Sequence, residues 1–62
     1  MYKPTEIEKR NCIQIIKDIL MTDDVVECEK YVDNIFSTTY SIGGDYSQET
    51  LKAVAEIVLK DV

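Results

Sequence analysis

Apolar residues recur at helical spacing in three stretches of this chain, and polar residues fill the faces between them. From Glu6 to about Met21, the residues Cys12, Ile13, Ile15, Ile16, Ile19 and Leu20 cover an arc of roughly 160° at 100° per residue. Glu6, Arg10, Asn11, Gln14, Lys17 and Asp18 occupy the other side, and Ile7 and Met21 fall outside the arc at its two ends. Isoleucine is stiff and β-prone, yet the spacing does not alternate, so the pattern predicts a helix over 6–21. Thr5 and Glu8 stand at the spacing of a capping box, and Pro4 blocks backward extension.

A second stripe is narrower. Val25, Cys28, Val32, Ile35 and Phe36 fall within about 100° of one another and predict a helix over 24–38. No glycine or proline separates it from the first helix. The break is expected at Thr22-Asp23-Asp24, three residue types that favour the N-cap, with Asp24 and Glu27 at the spacing of a second capping box. The stretch Thr39–Tyr46, with its hydroxyls, Asp45 and the pair Gly43-Gly44, reads as a loop. Ser47 is the expected N-cap of a third helix over 48–61, with Tyr46 and Leu51 at the positions of a hydrophobic staple. Leu51, Val54, Ala55, Val58 and Val62 form its core stripe, flanked by Ile57 and Leu59. Its clearly polar face spans only about 80°, so this helix is either wedged between both neighbours or meets another chain.

The expected fold is therefore all-α, one small three-helix bundle over residues 1–62. A chain of this length buries only about 60% of its unfolded surface, which leaves room for a small core and little more. Two cysteines, Cys12 and Cys28, need a decision. In an antiparallel hairpin turning near Asp23 their axial offset is roughly 7 Å. Adding the 8–10 Å between packed axes puts them beyond the ~7 Å Cα separation a disulfide tolerates. Two free, mostly buried thiols are expected, as suits a reducing compartment.

Charge changes the picture more than composition does. The formal net charge is −5. Residues 18–33 hold Asp18, Asp23, Asp24, Glu27, Glu29 and Asp33 against Lys30 alone, so the whole excess lies around one helix–helix turn. The remaining residues hold six acids and six bases. An acidic chain with scattered bases is a poor phosphate binder, so no direct nucleic-acid contact is expected. A helix-turn-helix reading fails for the same reason, because the third helix sets Lys52 and Lys60 against Glu49, Glu56 and Asp61. The longest apolar run is three residues and no secretory leader is seen, so no membrane partner is expected. The expected location is the cytoplasm, of a host cell if the gene is virus-borne.

Catalysis is not expected. The chain has no histidine, the commonest general base, and both thiols sit on apolar stripes where they are inert. No cofactor or metal is expected either. The Gly43-Gly44 loop lacks the acids of a calcium loop in either register, and Asp23, Asp24 and Glu27 read as helix-capping acids.

Two functional expectations remain. The first is a protein-binding module, an inhibitor or regulator, that docks on a partner with a basic surface and in one form mimics a nucleic acid, as small phage and mobile-element proteins do. Its contact residues are Asp23, Asp24, Val26, Glu27, Lys30, Tyr31 and Asp33, with Val26 the apolar centre of an acidic face. The second is a structural or assembly subunit that forms a homo-oligomer along a seam of Leu51, Ile57, Val58 and Leu59 on the third helix.

Overall fold

The structure, a computed structural model, describes residues 3–60 and contains three helices: α1 (Glu6–Leu20), α2 (Val25–Ser41) and α3 (Gln48–Val58). Each helix packs on both others. No strand occurs among the described residues, and no helix there is long and apolar enough to cross a membrane.

The sequence sets each helix start through a side chain. The Thr5 hydroxyl accepts from the Glu8 amide at 3.2 Å, and the Glu8 carboxylate accepts from the Thr5 amide at 2.9 Å, which completes the capping box. Asp24 caps α2 by accepting from the Glu27 amide at 3.3 Å. This box is only half formed, because the Glu27 carboxylate turns to Lys30 and Tyr31 instead. Ser47 caps α3, and Asp45 ties the cap down by accepting from the Ser47 amide, the Ser47 hydroxyl and the Thr50 hydroxyl. Those hydrogen bonds hold the Asp45 carboxyl below the usual carboxylate range.

Helix ends differ from the expected bounds in three places. α1 stops at Leu20, and Met21 adopts a left-handed conformation (φ 54°, ψ 48°) while its amide donates to the Lys17 carbonyl. α2 runs three residues past the expected end, to Ser41. The reason is Thr39, which is fully buried and whose hydroxyl donates to the Ile35 carbonyl at 2.8 Å. A hydroxyl satisfied one turn back is compatible with a helix, so local loop preference yields to burial. The turn then forms at Gly43 (φ 70°), with the Gly44 amide donating to the Thr39 carbonyl. A Cβ on Gly44 would meet the Thr50 methyl at 3.0 Å, so any larger residue there would have to push that side chain back by a few tenths of an ångström. α3 ends at Val58, short of the expected 61, with Leu59 closing its last turn by donating to the Ala55 carbonyl; Asp61 and Val62 lie outside the described residues.

The core joins Cys12 and Ile16 of α1, Cys28, Val32, Ile35 and Phe36 of α2, and Leu51, Val54, Ala55 and Leu59 from the α3 segment. The wide arc of α1 supplies the half-buried Ile13, Ile15, Ile19 and Leu20, which pack around it. Phe36 stacks on Tyr46 with ring centroids 5.8 Å apart, fixing the loop onto the bundle. Val25 departs from its expected place in the stripe. It is 42% exposed and borders an open groove between α1 and α2.

Both cysteines are free and buried. Burial, reinforced by the neighbouring Cys28, pushes the Cys12 thiol up from 9.0 to about 11. Burial also raises Cys28, while Lys17 pulls it back. Folding therefore favours the neutral thiols. The Cys12 contribution is fully present below pH ~9 and is lost as pH rises through about 11, since the unfolded chain releases that thiol proton first. Urea midpoints measured from pH 8 to 11 should fall across that window, and Cys12→Ala should flatten the fall. Iodoacetamide at pH 8 should modify neither thiol in the folded chain and both in urea.

Candidate functional site

The four residues Met21–Asp24 join α1 to α2 and make a corner of the bundle. Three consecutive devices build it. Met21 turns the chain, the Thr22 hydroxyl accepts from the Asp24 amide at 3.2 Å, and Asp24 caps the next helix. Carboxylates at this helix start face the positive end of the helix dipole, which gives Asp23, Asp24 and Glu27 a local reason to be acidic.

The expected contact residues run from the corner along the outer side of α2. Asp23, Asp24 and Val26 are exposed at the corner, and Val26 is 71% exposed. Glu27 accepts from Lys30 at 3.0 Å, an exposed pair one turn apart that adds little stability. Tyr31 is half-buried against the core, and its hydroxyl donates to Glu27 at 3.4 Å. Asp33 is exposed further along α2. With Glu29 it lines an open groove between α1 and α2 whose other walls are Lys9, Ile13 and Val32. Arg10, Lys17, Glu6 and Val25 border the adjoining, wider part of that groove together with Glu29 and Lys9. Glu29 lines this groove along its length, and Asp33 borders its narrower part beside Lys9. Helix capping does not account for those two exposed acids.

At that corner Asp18, Asp23, Asp24 and Glu27 stand against Lys17 and Lys30. The Gln14 amide donates to Asp18 at 3.1 Å. A shallow hollow opens between Gln14, Lys17, Asp18, Met21, Thr22 and Asp23. Met21 is 90% exposed. The apolar pattern set this residue outside the arc of α1 without assigning it a role. Its left-handed backbone had no sequence signal, because glycine or asparagine normally marks such a position.

The seam expected on α3 is corrected by burial. Leu51 is 1% and Leu59 4% exposed, both inside the chain's own core, and Val58 is half-buried. Only Ile57, 71% exposed, faces solvent. The helix is wedged between α1 and α2, and its broad apolar surface serves both contacts at once.

No group of three or more Cys, Asp or Glu side chains among the described residues is placed to hold a metal ion. Compared with protein-family models, curated proteins and solved structures, the chain matches none.

Proposed function

We propose that this chain is a non-enzymatic protein-binding module, a regulator or inhibitor that acts by occupying a partner with a basic surface. The observation that carries this reading is Val26. It is a β-branched apolar residue, 71% exposed, at the start of α2 among Asp23, Asp24 and Glu27. A helix start needs acids and a cap but has no need of an exposed valine. An acidic rim around an apolar centre complements a basic, partly apolar partner and steers its approach. A standard interface takes roughly 800 Å² per partner, about a fifth of this chain's 4351 Å² of accessible surface. One partner at a time is what such a surface supports. A nucleic-acid mimic, one form of this reading, would need a longer run of free carboxylates than the corner supplies.

Replacing Asp23, Asp24 and Glu27 together by serine tests the reading. Serine at position 24 is itself a good N-cap, so the fold should hold. Capture of partner proteins from lysate should drop sharply for the triple variant, and wild-type capture should weaken as salt rises. Equal capture by both proteins would refute it.

A further inference from the structure

We infer that the open groove between α1 and α2 is a self-association surface, on which a second copy of this chain docks with α1 of each copy against α2 of the other. The inference goes beyond the protein-binding reading and does not depend on it.

The groove has walls of opposite charge. The α1 wall carries Lys9, Arg10 and Lys17 with Glu6. The α2 wall carries Glu29 and Asp33 and no base. Ile13, Val25 and Val32 supply the apolar lining between them. Lys17 is half-buried, and the other charged residues of both walls are exposed. Among the described residues no ion pair joins the two walls, since the pair formed there is Lys30 with Glu27, outside the groove.

Two walls of opposite sign restrict the occupant. A polyanion that suits the α1 wall is repelled by Glu29 and Asp33. A polycation that suits the α2 wall is repelled by Lys9, Arg10 and Lys17. The occupant must carry one basic and one acidic row, set apart by the 8–10 Å or so that separates packed helices. The α1–α2 pair of this chain is such an object.

Symmetry then fixes the arrangement. A two-fold axis along the groove lays the α1 wall of each copy on the α2 wall of the other, and the two contacts are identical. A two-fold axis across the groove would set bases on bases and acids on acids, so charge selects the first. Rotation about an axis along the groove keeps every residue at its own height. Lys9 and Asp33 border the same narrower part, so Lys9 of each copy comes level with Asp33 of the other. The 15 residues of α1 span about 22 Å. A face two helices wide and that long lies at the small end of specific interfaces, which makes the dimer weak and salt-sensitive.

Sedimentation equilibrium at millimolar protein is the test. Wild type should dimerise in low salt. Raising the salt from about 0.01 M to 1 M, which shortens the screening length from about 30 Å to 3 Å, should dissociate the dimer. Lys9→Glu and Asp33→Lys change exposed positions, so both should fold. Each reverses a charge that the two-fold uses twice and should weaken self-association by about tenfold or more. Mixed in equal amounts, the two variants should associate with each other, because both reversed contacts are again between opposite charges. A wild-type monomer, single variants that dimerise as wild type does, or a mixture that stays monomeric would each overturn the inference. If wild type is monomeric and the groove amides shift when a helical glutamate–lysine peptide is added, the groove belongs to a different protein. The serine triple variant at positions 23, 24 and 27 keeps every groove charge and should dimerise as wild type does. Loss of lysate capture by that variant with intact dimerisation separates the two surfaces, and loss of its dimerisation would overturn the groove as the contact.

Discussion

Leu59→Glu should unfold this chain and should not merely split an oligomer. Leu59 is 4% exposed and closes the last turn of α3 against the core. The substitution removes packing worth about 2–5 kcal/mol and asks a carboxylate to enter an apolar site with no partner, which adds several more. A chain of 62 residues has only about 3–9 kcal/mol of total stability at ordinary values per residue. The far-UV circular dichroism of a helical protein should therefore be largely lost at 25 °C. Ile57→Glu is the matched control. Ile57 is 71% exposed, so its stability should change by about 0.5 kcal/mol or less. Light scattering on wild type and Ile57→Glu then reads any self-association without the confusion of unfolding. A folded, monomeric Leu59→Glu with wild-type stability would mean that α3 is not packed as described.

These two residues also show where sequence periodicity stops being informative. Ile57 and Leu59 both flank the α3 stripe, one on each side. The pattern finds the face of a helix, but which flank is covered depends on where the other two helices lie. The same limit applies to Glu29 and Asp33. Their place opposite Lys9 depends on the register between α1 and α2, and no spacing within α2 encodes it. Features that depend on neighbours in sequence were legible. The Thr5–Glu8 box, the caps at Asp24 and Ser47, and the buried face of α2 through Phe36 are all local signals. Thr39 escaped because its hydroxyl suggests a loop until a core covers it. Of the expected contact residues, Asp23, Asp24, Val26, Lys30 and Asp33 are exposed, Lys30 is paired with Glu27, Tyr31 packs half-buried against the core, and Asp33 borders the groove beside Lys9. Met21 was recognisable only as a residue outside the helical arc. Its left-handed backbone has no counterpart in the pattern.

Phe36→Ala should produce the second large loss, about 3–5 kcal/mol. Phe36 is 4% exposed, the one aromatic residue in the buried core, and carries Tyr46 on its face at 5.8 Å and 20° between planes. Truncation leaves a cavity among three short helices, and it also removes the surface against which Tyr46 of the α2–α3 loop rests. Tyr46 precedes the Ser47 cap, so releasing it loosens the start of α3 as well. Against a total of about 3–9 kcal/mol, the loss leaves a large unfolded fraction in water, visible as a urea transition with no native baseline. Phe36→Leu keeps most of the volume and should cost about 1.5 kcal/mol or less. Tyr46→Leu should fall between the two variants, because it keeps an apolar staple but gives up the stacked ring, worth about 0.5–1.5 kcal/mol beyond area burial. If Phe36→Ala shifts stability by less than about 1 kcal/mol, the contact between Phe36 and Tyr46 does not organise the joint between α2 and α3, and α3 must be held by Leu51, Val54 and Leu59 alone.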